Sequence, residues 1–421
     1  VAQDSGVRRS FPSPFARRGV LAKSRSVAAV EKSSSATASM ATMSEPTTPT
    51  PQAHDPGPPA NATTTGETEI QHTARFPTRW TTISSASAVL LCVLALILIP
   101  TPFVARSPGQ TVNLLSTNEQ GKPMIQIDGL TTRHSEGEMR MTTVSITRAD
   151  SRLSMAEALV AHLRADHDVL QREAIYPPGR SPQQVDADES YMMDTSQRDA
   201  AVAALRAAGQ PVTEMPMVNA VSAAGPAHGK LMSGDLIEKV DGKPVASLLD
   251  VGKAVRKHVV GDTVVFVVLR NSSAKTVAVT TVSSVSDRRT PAVGITVDTG
   301  YRYNPTITYN IPGDIVGPSA GLAMALSIYQ MVAPNDLIGS LRLAGTGGIS
   351  PDGNVVAIGG IQEKIAGAER DGAKVFLVPT GNCRDISGVK TSMRLVKVSS
   401  LKDAIAAIQK IRAGGSGVPH C

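Results

Sequence analysis

The chain has 421 residues, a formal net charge of +6 at pH 7 and only 3% aromatic residues. This length is too great for one ordinary globular core and provides for two or three domains built mainly from aliphatic side chains. Much of the positive charge lies in the first stretch, a pattern that can indicate nucleic acid, but an apolar run soon follows it and favours a membrane explanation. We therefore expect no nucleic-acid partner.

Residues 1–80 are rich in Ser, Thr, Pro and Ala and show almost no apolar clustering. Such a composition cannot bury enough surface to offset the entropy that is lost on ordering. The composition predicts a disordered tail.

Residues 81–104 include an apolar run, 83–104, that contains no charged residue. A run of roughly 22 residues is long enough to cross a hydrocarbon core of about 30 Å. The alternatives are a buried soluble helix, which usually has a polar face, and a cleaved signal peptide, which lies close to the N-terminus. We interpret residues 81–104 as one uncleaved transmembrane helix.

The charges that flank this run set its expected orientation. Arg75 and Arg79 precede the run, whereas Arg106 alone follows it closely. Because basic segments stay on the cytoplasmic side, we expect a single-pass protein of the plasma membrane, with a cytoplasmic N-terminus and all later domains outside.

Two cysteines would then face an oxidising compartment, where a disulfide is permitted. Cys421 ends a Gly-rich stretch, 413–421, which we interpret as a flexible tail. We therefore expect a free thiol at both Cys383 and Cys421.

The first segment outside, 105–194, has two strand patterns, at 124–132 and 139–147, then a helix pattern at 155–166 and a proline-containing loop at 175–190. The segments at 317–321 and 359–364 resemble a family whose fold has further strands ahead of the first of these segments, and these elements are candidates for those strands. In that case residues 195–287 are an insertion within the C-terminal domain.

Residues 195–287 predict a compact β-rich unit. A helix at 195–209 is followed by a strand, a short helix, an Asp241-Gly242 hairpin turn, a helix at 248–259 and a strand at 263–270.

This order, together with AGPA at 224–227 and SGDLI at 233–237, resembles a PDZ domain of the bacterial type. The resemblance implies a domain that binds extended C-terminal peptides by adding a strand to a sheet edge. The alternative is a domain that only spaces or regulates its neighbour.

Residues 288–412 alternate strand and helix patterns, which predicts an α/β or α+β domain. The predicted strands are 292–297, 306–311, 341–350, 354–360, 373–379 and 395–400, and the predicted helices are 316–332, 361–372 and 401–411. The whole chain is therefore expected to be an α+β multidomain protein, with a disordered tail, one transmembrane helix, a β-rich unit and a C-terminal α/β domain.

Ser319 stands between Pro318 and Ala320 at the head of an apolar helix. A serine there is an ordinary helix cap, but a helix N-terminus also presents unpaired N–H groups that can hold the oxyanion of acyl transfer. A catalytic serine needs a base, and residues 288–419 contain no histidine. A Ser-His-Asp arrangement within this domain is therefore disfavoured.

A neutral lysine is the alternative base. Its pKa must fall from about 10.4 to near 7 or 8, which disfavours the ammonium by about 4 kcal/mol and which burial can supply. On the helix that begins at Ile361, Lys364 lies about 60° from the centre of the apolar face, whereas Glu363 and Arg370 point away from it. Helical phasing leaves two readings open, a buried lysine and one that reaches the surface.

The segments GPSAG at 317–321 and GGIQEK at 359–364 closely resemble the two active-site motifs of Lon-type serine proteases, and TGGIS at 346–350 follows in the family's order. With an anchor and a PDZ unit ahead of it, the chain is similar to bacterial PDZ-containing Lon-like proteases. The resemblance implies that Ser319 is the nucleophile and Lys364 the general base of a Ser-Lys dyad.

The same resemblance implies that Thr346 orients the lysine. From the residues themselves, Gly317 is expected to start the nucleophile turn and Ala320 to leave room for a substrate backbone. Two positions depart from the family's pattern, since Val316 and Gly348 stand where ATP-dependent members usually carry acidic residues. These departures concern loop geometry and substrate preference. The sequence has no G-x-x-x-x-G-K-[ST] phosphate loop, so an ATP-independent enzyme is expected.

The resulting hypothesis is a membrane-anchored serine endopeptidase that cleaves unfolded or flexible envelope proteins, with the PDZ unit recruiting or gating the substrate. No cofactor or metal is expected, because the sequence lacks His-Glu-x-x-His and paired-cysteine motifs. The alternatives are a non-catalytic PDZ scaffold that keeps the fold, and an enzyme active only within a homo-oligomer or on one dedicated substrate.

Overall fold

The structure, a computed structural model, describes the backbone of residues 78–421 and the side chains from residue 82 onward. The predicted disordered tail, 1–80, lies outside the described residues except for its end at 78–80, which is helical.

The described part of the chain contains both helices and strands. The helices are α1 (Thr78–Leu98), α2 (Met155–Leu163), α3 (Arg172–Ile175), α4 (Pro182–Ala207), α5 (Leu248–Val255), α6 (Gly321–Val332), α7 (Ile361–Arg370) and α8 (Leu401–Arg412). The strands are β1 (Phe103–Asn113), β2 (Ile125–Asp128), β3 (Glu138–Ile146), β4 (Asp168–Gln171), β5 (Thr213–Val221), β6 (Leu236–Val240), β7 (Lys243–Pro244), β8 (Thr263–Arg270), β9 (Ser273–Thr280), β10 (Val282–Ser283), β11 (Pro291–Ala292), β12 (Ile295–Arg302), β13 (Thr306–Tyr309), β14 (Arg342–Gly345), β15 (Gly348–Ile349), β16 (Val355–Val356), β17 (Val375–Pro379) and β18 (Arg394–Val398).

The predicted transmembrane helix at 81–104 is not supported. Helix α1 ends at Leu98, and the prolines at 100 and 102 lack the N–H groups that a continuing helix needs. From Phe103 the chain is a strand, in which Val104 is fully buried. Within residues 78–421, no helix combines the length and the apolar character that crossing a membrane requires.

A large sheet in the order β18-β17-β14-β3-β1-β4 carries the C-terminal part of the chain. Strands β18, β17, β14 and β3 run parallel, whereas β1 pairs antiparallel with both β3 and β4. The segment 103–146 therefore supplies strands to the same sheet as residues 342–398.

Strand β17 shows why this sheet is covered on both faces. All five of its residues are buried, which is typical of a central parallel strand. Val375 and Leu377 belong to a core that includes residues of α4, α6 and α8, while Phe376 and Val378 point to the opposite face, where α7 packs. The sheet thus lies between two layers of helices.

Helix α4 departs from the prediction of a loop at 175–190. Pro182 occupies the first turn, where its missing N–H costs nothing, and Ser181 and Gln184 cap the helix reciprocally. The helix continues to Ala207, and Ala200 and Ala204 are buried in the core that also contains α6. The helix predicted at 195–209 as part of the β-rich unit therefore packs on the large sheet's core instead.

The second sheet has the order β12-β5-β6-β8-β9, with β7 paired to β6. Its core is built from alternating aliphatic side chains and Phe266, and α5 packs against it. Strand β12 lies in this sheet although the sequence assigns residues 292–297 to the last domain. The cause is pairing with β5, which a single-strand pattern does not reveal.

The C-terminal residues also depart from the prediction of a flexible tail at 413–421. Val418 is buried, the Lys397 N–H donates to the Pro419 carbonyl at 3.0 Å, and Cys421 forms a disulfide with Cys383. The expectation of two free thiols is thus wrong, because the packed tail brings both sulfurs together.

Candidate active site

Ser319 lies in a short 3-10 turn, Pro318–Ala320, that leads directly into α6. The turn begins at Gly317, whose φ of 95° is a conformation that favours glycine. A Cβ at this position would also lie 2.9 Å from the Glu189 carboxylate. Gly317 is therefore required by the backbone of the turn that presents Ser319, while Ala320 is buried behind it.

Helix α4 holds this turn from behind. The Gly317 N–H donates to the Glu189 carbonyl at 3.3 Å, and Ser196 Oγ donates to the Pro318 carbonyl at 3.1 Å. Ser196 is itself buried, so its hydroxyl is fixed in place. The contribution of α4 to the site was not predicted from the sequence. The Ser181 cap and the proline after it were the signals that could have extended the helix toward the site.

Lys364 lies in the first turn of α7. This helix begins after Gly360, which has a φ of 72°, and a Cβ there would lie 2.7 Å from Val144 Cγ1 on β3. The glycine therefore allows α7 to start close against the sheet. Lys364 is only 3% exposed, which decides between the two readings left open by helical phasing.

The structure brings three of the predicted site residues together. Lys364 Nζ lies 2.7 Å from Ser319 Oγ, a hydrogen-bond distance, and 3.4 Å from Thr346 Oγ1. Thr346 is completely buried and donates through Oγ1 to the Ser319 carbonyl at 3.0 Å. The Gly347 N–H donates to the same carbonyl at 2.8 Å. The Thr346 hydroxyl therefore links the Lys364 amine to the backbone carbonyl of Ser319.

The surroundings lower the pKa of Lys364 to about 7. Burial is the largest cause, because a charged amine loses its hydration there, and the positive charge of Arg106 adds to it. The Glu363 carboxylate acts in the opposite direction. A large fraction of the amine is therefore neutral at physiological pH.

The prediction that Glu363 points away from the core is wrong. Glu363 is 2% exposed, and Arg106 on β1 donates to its carboxylate at 2.8 Å and to Asp168 at 2.8 Å. Helical phasing assumes that only apolar residues face the core. Here α7 packs against β1, and the Arg106 guanidinium on that strand pairs with the buried Glu363 carboxylate. No local signal links residues that are 257 positions apart.

This geometry has a definite chemical capacity. A serine hydroxyl is a weak nucleophile unless a base removes its proton, and a neutral amine at hydrogen-bond distance is such a base. Burial keeps a large fraction of the amine neutral, and the hydroxyl sits at a helix start, where N–H groups without carbonyl partners are found. The site therefore has the parts that acyl transfer needs.

Two family models match separate parts of the chain. The family model of the Lon protease (S16) C-terminal proteolytic domain matches residues 303–410, and that of the PDZ domain matches residues 197–281.

Curated relatives match the C-terminal part of the chain. Lon protease of Rhizobium meliloti is 38% identical over 94 residues, which are 21% of this chain and 11% of the relative. Lon protease of Neorickettsia sennetsu is 34% identical over 93 residues, again 21% and 11%. The chain thus spans about 11% of the length of these relatives.

Among solved structures, the PDZ domain of an SdrC-like protein from Listeria innocua is 26% identical, with a TM-score of 0.19, and the match covers 20% of this chain and 92% of that one.

The two family models show that the chain carries a proteolytic domain of the Lon (S16) family at residues 303–410 and a PDZ domain at residues 197–281.

Proposed function

We propose that the chain is a serine endopeptidase that uses Ser319 as the nucleophile and Lys364 as the general base. The observation that carries this proposal is the distance of 2.7 Å between Lys364 Nζ and Ser319 Oγ, in a site that lowers the lysine pKa to about 7. A solvated lysine at the same distance would stay protonated and could not accept the serine proton.

The reaction follows from these two groups. Lys364 Nζ accepts the proton of Ser319 Oγ as the oxygen attacks the carbonyl carbon of the peptide bond, which forms a tetrahedral intermediate. The resulting ammonium gives its proton to the leaving amine, and the carbon–nitrogen bond breaks to leave an ester on Ser319. Water, deprotonated by the same amine, then attacks the ester and releases the acid product, and the serine regains its proton.

The start of α6 is the proposed site for the negative charge on the intermediate. The first N–H groups of a helix lack carbonyl partners within it, and they lie at the positive end of the helix dipole. The Leu322 N–H already donates to the Gly347 carbonyl at 3.0 Å. This leaves the N–H groups nearer Ser319, including that of Ala320, as candidate donors to the oxyanion.

Thr346 is proposed to position the amine rather than to react. Its hydroxyl lies 3.4 Å from Lys364 Nζ while it donates to the Ser319 carbonyl at 3.0 Å. A hydroxyl used in this way holds lysine and nucleophile in register throughout the two half-reactions.

The proposed substrates are unfolded or flexible proteins, cleaved without ATP. The sequence contains no phosphate-loop motif with which to power unfolding. A folded substrate would then have to expose an extended segment by itself, and the PDZ domain, which matches a peptide-binding family, is proposed to recruit such segments or gate their entry.

We further propose that both domains work outside the cytoplasm, at the plasma membrane. The disulfide between Cys383 and Cys421 favours an oxidising compartment. The apolar side chains of α1 that remain exposed, such as Leu90 and Leu91, favour contact with an apolar surface.

The test is cleavage of a permanently unfolded protein by the full chain, with and without ATP. We expect cleavage at the same rate in both conditions, no cleavage of a stably folded protein, and none by Ser319→Ala. Cleavage that survives in Ser319→Ala, or that requires ATP, contradicts the proposal. A non-catalytic scaffold would show binding without cleavage, and light scattering of the active sample tells whether the enzyme is a homo-oligomer.

A further inference from the structure

Helix α2 carries its large apolar side chains on the side that faces solvent. Met155, Leu159 and Leu163 recur at every fourth residue and so share one face, where they are 42%, 51% and 75% exposed. The buried residues of the helix, which pack on the protein, are the small Ala158 and Ala161. A surface helix normally has the reverse arrangement, with its large apolar residues toward the core. The outward face of α2 is therefore suited to contact with an apolar surface.

This face lies next to exposed apolar residues of α1. The two helices contact each other, and the Met155 N–H donates to the Ile99 carbonyl, just beyond the end of α1, at 3.2 Å. Leu98 and Ile99 are themselves exposed. An apolar area of this kind, formed by two adjacent helices, marks an interaction site for a protein or a membrane. The charges beside it distinguish between these partners.

A cavity of about 510 Å³ lies at the junction of α1 and α2. Its lining includes residues 100–103 and two arginines, Arg152 and Arg172, with Gln171 and the carboxylate of Glu173 beside them. The cavity is large enough to hold a small ligand group. It combines an excess of positive charge with an apolar border.

The two arginines are not neutralised by carboxylates of the chain. The Arg172 guanidinium donates to the carbonyls of Ser151, at 2.9 Å, and Ala149, and its carbon lies 5.2 Å from the centre of the Tyr176 ring, so all these partners are neutral. Arg152 is exposed. Within residues 82–421, neither arginine forms an ion pair.

The carboxylates close to α2 in the sequence already have partners. These pairs are Asp150 with Arg148, Glu157 with the Ser154 cap, and Asp166 with His167. The positive charge of the cavity is therefore available to an anion from outside the chain, and guanidinium groups match phosphate oxygens in geometry.

We propose that α2 and this cavity dock the chain on the surface of a bilayer that contains anionic phospholipid. The phosphodiester of one headgroup binds beside Arg152 and Arg172, while the apolar face of α2 lies at the boundary between headgroups and acyl chains. Because α2 packs on β1 and β4 of the large sheet, the docked part is the sheet that also carries the candidate active site. The inference rests on the membrane location proposed above, but not on the chemistry at Ser319.

The test follows a bimane fluorophore on α2 of the full chain. Leu163→Cys supplies the attachment site, Cys92→Ser removes the free thiol, and Ser319→Ala prevents self-cleavage. The chain is mixed with vesicles of phosphatidylcholine, or of phosphatidylcholine and phosphatidylglycerol in equal parts, each with a nitroxide-labelled lipid as quencher. Quenching reports contact of α2 itself with lipid, whatever α1 does. We expect the lipid concentration at half quenching to be at least ~10-fold lower for the anionic vesicles.

Two variants with matched controls separate charge from apolar contact. Arg152→Glu should raise the lipid concentration at half quenching at least ~5-fold, and Arg394→Glu, an exposed position on β18 at the opposite edge of the sheet, should leave it unchanged. Leu159→Ser should weaken quenching ~5-fold, whereas Leu249→Ser, an equally exposed position on α5, should not.

The contrary outcomes are distinct. Equal quenching by both kinds of vesicle, unchanged in Arg152→Glu, overturns the headgroup site. A chain that sediments with vesicles without quenching overturns docking through α2 but leaves the membrane location intact, and a chain that sediments with neither kind contradicts both proposals. A change in fluorescence on concentrating the chain without lipid would assign the α2 face to a second copy and overturn the proposal.

Discussion

Arg106 donates a hydrogen bond of 2.8 Å to Glu363, the residue that precedes the buried Lys364. The pair is formed by β1 and α7, which are far apart in the sequence but adjacent in the fold. Arg106 lowers the lysine pKa, and its bond to Glu363 partly offsets the carboxylate that would raise it. The ion pair therefore tunes the amine without touching Ser319.

Removing this cation should shift the pH dependence of the enzyme. Arg106→Gln removes a positive charge near Lys364 and also leaves the Glu363 carboxylate without its partner. Each of these two effects raises the pKa of Lys364. We expect the midpoint of the pH–rate profile to rise by about one pH unit, with a similar rate at high pH. Arg106→Lys keeps the charge and serves as the control. An unchanged midpoint in Arg106→Gln would show that the ion pair is only structural.

The wild-type profile itself should report the lysine. Because the pKa of Lys364 is about 7 and the neutral amine is the active form, the rate should rise about tenfold per pH unit below that value and level off above it. Single-turnover acylation measured between pH 5 and 9 separates this step from product release. A flat profile across this range would mean that Lys364 does not titrate in the reaction.

Lys364→Met should stabilise the fold while abolishing activity. The folded pKa of about 7 lies below the usual 10.5, so between these values the unfolded chain holds a proton that the folded chain lacks, and stability rises with pH. Below pH 7 the full cost of burying the amine is present. We expect the variant to gain about 2 kcal/mol in unfolding free energy at pH 7, and the gain to shrink toward pH 9.

Denaturant titrations at the two pH values measure this difference. Ser319→Ala is the control, since it removes activity without changing the amine's burial. A variant less stable than wild type at pH 7 would indicate that Lys364 is held as a favourable charge.

Ser196→Ala should weaken the support behind the nucleophile turn. The buried hydroxyl bonds to the Pro318 carbonyl at 3.1 Å, and its loss should cost about 1 kcal/mol of stability. We expect kcat to fall with little change in KM, because the turn presents Ser319 and not the substrate. Ser190→Ala on the exposed side of α4 is the matched control, and equal kinetics in the two variants would refute this role.

Those residues of the candidate site that lie in short sequence motifs could be predicted from the sequence. The motifs around Ser319 and Lys364 led to the residues that the fold brings within hydrogen-bond distance, although helical phasing alone left Lys364 undecided. The fold decided it, because Gly360 lets α7 start against β3 and directs the amine inward.

Other features depend on contacts between distant segments and had no local signal. Helical phasing predicted Glu363 at the surface, but it is buried in an ion pair with Arg106 on β1. The strand pattern at 292–297 was assigned to the C-terminal domain, but β12 pairs with β5 in the second sheet. An uncharged run suggested a membrane span, although prolines 100 and 102 divide it into a helix and a buried strand. For Glu363 and β12, tertiary pairing overrode a pattern read along the chain, whereas the prolines that end the helix at 98 were visible in the sequence itself.

The most direct test of the central claim is covalent labelling of the full chain by a serine-reactive probe, with the modified residue mapped by mass spectrometry. The account predicts one adduct on Ser319 at pH 8, none in Ser319→Ala, and a loss of at least about 100-fold in labelling rate in Lys364→Ala, as expected when a general base is removed. Labelling of Ser319 at an undiminished rate in Lys364→Ala would contradict it, because the hydroxyl would then be activated by another group.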